Sequence, residues 1–232
     1  MSVSTLEKAL SYEHLMIREL AMPAHRSNAG APDRRHETDW FYAITAQHLA
    51  AAEDVLLPRI RDLDDGKSKV TAYVENARLL EKNLRRLKGR IYGDGRAQHF
   101  RKTELWQRID ELMDDHERIE TEYGAMLSAE LDGPDISDLT ERLLTAEEHA
   151  PTRAHPVSPH TGLAGRMAHR AWRLADRTWD AAEGRVVPTH YHRHPKHDSA
   201  WSVYLRGDMM PGAEEAAEKE AADQAETEPR QS

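Results

Sequence analysis

The sequence predicts an all-α fold: an antiparallel four-helix bundle followed by a C-terminal helical extension. Three observations predict it. Four long stretches carry apolar residues at helical spacing. The connections between them are short and built from Gly, Pro and Asp. Strand-type alternation is absent throughout. The 232 residues are 39% hydrophobic. That is near the low edge for a soluble chain even with glycine added. It suffices for a core of roughly 120–150 residues rather than a globule of the whole length.

Ser4-x-x-Glu7 reads as a capping box that opens the first helix, and Pro23 closes it. Residues 22–33 form a loop. The second helix runs from about residue 34 to 63, with Pro58 near its end, and Asp64-Asp65-Gly66 marks a turn. The third covers about 67–91 and is broken by Tyr92-Gly93-Asp94-Gly95. The fourth covers about 102–131, where Asp132-Gly133-Pro134 ends it. Residues 1–134 therefore form the bundle. Residues 135–204 form an extension that packs on it. The extension holds a short helix near 136–148, the proline-rich stretch APTRAHPVSPHTGLAG and a further helix near 164–183. Residues 205–232 are expected to be a disordered acidic tail.

The formal net charge is −9, from 32 Lys+Arg against 41 Asp+Glu. Much of it is local to the tail, where Glu214, Glu215, Glu218, Glu220, Asp223, Glu226 and Glu228 face only Lys219 and Arg230. Nothing resembles a basic nucleic-acid face. No run of 18 apolar residues spans a bilayer. The charged, amphipathic start is no secretory signal, so a cytoplasmic location is expected. The absence of cysteine excludes disulfide scaffolds, thiolate zinc sites, iron–sulfur clusters and Cys nucleophiles. Histidine stands out: 14 residues, against 2 Phe. It is the common neutral nitrogen ligand for transition metals.

The apolar stripes place some of these histidines inside. The first helix reads Leu6, Leu10, His14, Ile17, Ala21, and the second Phe41, Ile44, His48, Ala51, Val55. The third carries Val74, Ala77, Glu81 and Leu84, with Leu80 and Leu87 more central. The fourth reads Ile109, Leu112, Met113, His116, Glu120, Tyr123, Leu127, with His116 and Glu120 one turn apart on one face. A single core histidine is commonly satisfied by hydrogen bonds. Three His and two Glu converging in one core would be strongly destabilising as isolated groups, and a bound cation removes that cost. His14, His48, Glu81, His116 and Glu120 are therefore the candidate metal ligands.

These residues carry a resemblance. The segments EHLMIREL around His14, QHLAAAEDVLLP around His48 and MDDHERIETEY around His116 and Glu120 resemble the hemerythrin-like (HHE cation-binding) family over residues 5–130. The stretch from Ala150 to Pro188 resembles an extension of actinobacterial members. The resemblance implies a four-helix bundle binding two irons through H…HxxxE…H…HxxxE. It also implies binding or activation of O2, NO or peroxide by an oxidase or a sensor, with an oxygen-derived ligand on the metal. Two departures matter. Ala52 stands where the family has a bridging glutamate, since neighbouring Glu53 lies about 100° around the helix. Glu81 stands at the third-helix histidine. Three outcomes follow: a two-iron centre with Glu120 bridging and Glu81 replacing the lost His; a single iron at His14, His48 and Glu120, like the facial triad of mononuclear oxygenases; or a metal-free helical interaction module that kept the fold. Anionic oxygen ligands favour the ferric state, so oxidative chemistry is expected over reversible O2 storage.

The remaining candidates are subsidiary. Tyr12, Tyr73 and Tyr123 lie on the bundle helices, with Tyr123 a possible donor behind the ligands. His190, His192, His194 and His197 read as a solvated linker, or else as a strap that supplies a ligand in place of Ala52; His155 and His160 can do likewise. Met167, Trp172 and Trp179 read as the packing stripe of the last helix, and His149 and His169 as exposed. No histidine has Glu three residues before it, which disfavours the ferritin-like di-iron class. His36-Glu37 lacks a second zincin histidine, and no glycine-rich phosphate loop is present.

Overall fold

The computed structural model of the chain describes residues 4–26 and 35–183, all within one unit, Met1–Thr189. Among the described residues there are six α-helices: α1 (Thr5–Arg26), α2 (Arg35–Arg61), α3 (Gly66–Tyr92), α4 (Lys102–Glu130), α5 (Gly133–His149) and α6 (Gly162–Glu183). A 3-10 turn, Gly95–Ala97, leads toward α4. There is no strand among the described residues, so the all-α expectation holds. No described helix is long and apolar enough to cross a membrane. The histidine cluster at 190–197 and the acidic tail lie outside the described residues.

Local chemistry sets the boundaries. The capping box forms as read: the Ser4 N–H donates to Glu7 Oε2 at 2.9 Å, and the Glu7 N–H to Ser4 Oγ at 3.2 Å. Pro23 does not close α1, which runs one more turn to Arg26, and Pro58 sits inside α2. In both places the proline removes one donor near a helix end without stopping the helix. Asp65 adopts left-handed backbone (φ 58°), and Gly66 follows because a Cβ there would meet the Ile60 carbonyl oxygen at 2.1 Å. Asp132 caps α5 by accepting from the Asp135 N–H at 2.9 Å.

The packing of α1–α4 is cyclic. α1 lies on α2, α2 on α3, α3 on α4, and α4 on α1. Leu6, Leu10 and Ile17 meet Ile44, Leu56 and Leu57 of α2, Leu80 and Leu84 of α3, and Ile109 and Leu127 of α4 in one apolar core. That core continues into α5 through Ile136, Leu139 and Leu143, and α5 covers α1 and α2. At Gly124 the helices α1 and α4 approach closely: a Cβ would stand 3.3 Å from both Glu7 Cγ and Leu10 Cδ1.

The last helix docks differently from the expectation. Met167 is 61%, Trp172 38% and Trp179 60% exposed, so they are not its packing stripe. The face of α6 turned inward is polar: His169, Asp176 and Asp180. Asp180 Oδ1 accepts from Arg153 Nη2 at 2.7 Å, and Asp176 Oδ2 accepts from the Arg153 backbone N–H at 3.1 Å. The exposed Trp172 still anchors the connecting loop. Its Nε1–H donates to Ser158 Oγ at 2.7 Å, and its ring stacks on His155 at 4.2 Å.

Candidate metal centre

The stripes of α1, α2 and α4 bring His14, His48, His116 and Glu120 to one point inside the α1–α4 cycle. All four are at most 2% exposed. His14 Nε2 and His48 Nε2 each lie 3.0 Å from Glu120 Oε2, and His116 Nε2 lies 3.2 Å from Oε1. The imidazole rings stand edge to face, with centroids 5.1 to 5.8 Å apart. One donor atom from each residue falls within 4.8 Å of the other three, and the group can hold a metal ion. Three neutral imidazole nitrogens and one carboxylate suit a first-row transition metal.

Two observations test that fit. Both ring nitrogens of His48 face carboxylates, Nε2 toward Glu120 and Nδ1 toward Glu147 Oε1 at 2.9 Å. A neutral imidazole carries one N–H, so one of these contacts would set lone pair against lone pair. Burial works against charging His48, but the carboxylates of Glu120 and Glu147 outweigh it and hold its pKa well above the usual value. Positive charge belongs at that ring, as a proton or as a metal ion on Nε2. In the metal case Glu147 accepts from Nδ1–H, the usual support of a ligating histidine. The second observation is His116 Nε2, buried near Glu120 yet outside hydrogen-bond geometry. A shared cation satisfies both atoms there.

The remaining electrostatics agree with a cationic centre. Burial raises the Glu120 carboxyl, yet His48 and His116 hold it ionised, well below its usual range. Burial, aided by His48 and His14, lowers His116 against the pull of Glu120, which keeps it neutral, as a ligand must be. Glu13 is pushed well up by burial and by neighbouring Glu147.

From α3 the centre receives Tyr73, not Glu81. The Tyr73 hydroxyl donates to Glu120 Oε1 at 2.9 Å, and its ring lies 5.2 Å from His116. Burial, then Glu120, pushes this phenol well above its usual pKa, so it stays a donor. Tyr123 stacks on Tyr73 at 6.2 Å, but its hydroxyl donates away, to the Lys69 carbonyl at 2.6 Å. Sequence reasoning did not use Glu13 and Glu147. Both continue buried helical stripes, Leu6–Leu10–Glu13 in α1 and Leu139–Leu143–Glu147 in α5, and that spacing was the available signal.

Glu81 belongs to a second buried cluster between α2, α3 and the segment after α5. Its Oε1 accepts from the His155 N–H at 3.1 Å, and Oε2 lies 3.7 Å from His160 Nε2. Glu53 lies opposite, 2.7 Å from His160 Nδ1 and 3.3 Å from His169 Nε2, and Asp54 reaches His169 Nδ1 at 3.1 Å. His169 is therefore buried, contrary to expectation, while His149 is exposed. His155 and His160 bind the loop to the helices through Glu81 and Glu53 and do not reach His14, His48, His116 or Glu120. Ala52 is fully buried, and no ligand from His155 or His160 takes its place. No protein-family model, curated protein or solved structure matches the chain.

Proposed function

We propose that this chain is a hemerythrin-like non-heme iron protein that binds or activates O2 or peroxide. In this reading α1–α4 form an antiparallel bundle around one iron, held by His14, His48, His116 and Glu120. The carrying observation is the convergence of four buried donors from three helices on one point. Their N3O character suits several divalent metals; iron is proposed from the resemblance to the hemerythrin-like family. One iron is favoured over two because Ala52 and the displaced Glu81 remove two donors that a second ion would use. Bound ferrous iron would supply one electron to dioxygen or peroxide on becoming ferric.

The residues around the ligands have definable tasks. Glu147 fixes the His48 tautomer, with the proton on Nδ1. Tyr73 orients Glu120 through its hydroxyl. Glu13 lies beside Glu147, and burial and that carboxylate push its pKa well up, which opposes further negative charge behind His48. Elemental analysis after iron-replete expression tests the reading. About one iron per chain is expected, lost in His116→Ala and retained in Glu81→Gln. With NO, the ferrous protein should give the EPR signal of an iron–nitrosyl. Iron-free protein, or iron that survives His116→Ala, rejects it.

One observation favours a metal-free reading. Glu120 already has His14, His48 and the Tyr73 phenol at hydrogen-bond distance, contacts that protons alone can fill. The chain would then be a helical module for interaction. Under that reading the same analysis finds no metal, and chelators leave the melting temperature unchanged.

A further inference from the structure

The face of α3 turned away from the metal candidates carries an unusual charge pattern. Between residues 78 and 90 the helix holds Arg78, Lys82, Arg85, Arg86, Lys88 and Arg90, and its one acid there, Glu81, is buried. Like charges at i,i+4, such as Arg78 with Lys82 and Lys82 with Arg86, destabilise a helix. Among the described residues Arg78, Lys82, Arg85 and Arg96 make no ion pair. The concentration is the more unusual in a chain of net charge −9.

These cations line a cleft. Arg78, Lys82, Arg85 and Arg86 form one wall, and Arg96 of the 3-10 turn faces them across about 570 Å3. Phe100, beneath the Arg86 guanidinium at 4.6 Å, and Val157 of the loop complete the cleft. Its single acid, Asp94, is occupied in capping the Arg96 N–H at 2.9 Å. A second cleft of about 500 Å3 shares Arg85 and Val157 with the first. Its lining adds Tyr42, Leu84, His155 and Trp172 to three cations, Arg85, Lys88 and Arg153. The two clefts thus adjoin; both are cationic and the second is also aromatic. Each falls in the size range of small-molecule sites.

We propose that the joined clefts bind a nucleotide-like ligand, with its phosphates among Arg78, Lys82, Arg85, Arg86 and Arg96 and its planar ring beside Trp172 and Tyr42. Guanidinium forks match phosphate oxygens in pairs, and aromatic side chains stack on nucleobases. A nucleotide-sized anion matches clefts of about 570 and 500 Å3. The ligand sits on the loop that carries His155 and His160, so its binding would be felt at the second buried cluster. The proposal stands independently of any metal.

Calorimetric titration of the full chain tests it, with ADP, inorganic pyrophosphate and adenosine as separate probes and no added divalent cation. ADP should bind more tightly than either part, and raised NaCl should weaken it. Arg85→Ala, on the exposed residue shared by both clefts, should weaken ADP by about tenfold, the loss expected of one charge-assisted contact, with an unchanged circular-dichroism melt. Trp172→Phe should reduce the advantage of ADP over pyrophosphate. No heat with ADP, equal affinity in Arg85→Ala, or pyrophosphate binding as well as ADP overturns the proposal. So does a single-stranded RNA oligomer that binds more tightly than ADP.

Discussion

Glu120 is where the demands on single residues meet. It is completely buried and touches three histidines and Tyr73. Glu120→Gln removes the charge and should abolish metal retention, read by elemental analysis. Tyr73→Phe deletes one donor from a buried carboxylate. A loss of about 1–3 kcal/mol in unfolding free energy is expected, measured by urea denaturation, with metal bound more weakly but still present. His14, His48, His116 and Glu120 were legible in the sequence because each extends an aliphatic stripe by three or four residues. Glu81 was misread for a simple angular reason. It follows Leu80, which is fully buried, and one residue is about 100° of rotation. The same rotation that removes Glu53 from the centre removes Glu81, and the two acids meet in the second cluster.

At the scale of elements, α6 and its loop are held by alternating charges: Asp54, His169, Glu53, His160, Glu81. The pH dependence of that docking follows. Burial opposes charging His169, but the Asp54 and Glu53 carboxylates beside its ring raise its pKa to about 10. A raised histidine stabilises fully below its unfolded value of 6.5 and loses that contribution as pH climbs toward 10. Glu81, lifted to about 7 by burial and Glu53, lowers stability as pH rises from 4.5 to 7 and adds no further slope above. Both effects loosen the extension as pH rises. Amide exchange in α6, corrected for intrinsic rate, should show an opening constant rising by about tenfold between pH 7 and 10, one pKa unit's worth after allowance for solvent screening. His169→Gln should flatten the slope; a flat profile in the unaltered chain contradicts the assignment. The sequence did not show this docking, since α6 looks apolar where Met167, Trp172 and Trp179 lie, yet buries its acids. Only the partners Arg153, Thr152 and His155, close to one another but distant from α6 in the chain, make those acids cheap to bury.

For the molecule as a whole, a ligand bound only by the folded state adds stability that grows with its concentration. Chelation should therefore lower the melting temperature of the unaltered chain and leave that of His116→Ala unchanged, as read by calorimetry. The four donors lie within residues 14–120, so replacing His190, His192, His194 and His197 together by Gln should not alter metal content. Most of the helix boundaries were legible, because Gly, Pro and Asp mark them. The pairing of α5 with α1 and α2, and hence the Glu147 support of His48, depends on contacts about 100 residues apart that no local pattern encodes.

Gly124 gives this centre an adjustment that lies outside it. The residue sits one turn beyond Glu120, opposite Leu10, itself one turn before His14. A methyl group there would press on the Glu7 and Leu10 side chains, which would have to give by a few tenths of an ångström. Were α1 to shift with them, the gap between the His14 imidazole and the Glu120 carboxylate would widen. The spacing of the four donors is thus guarded partly by a hydrogen atom that touches none of them.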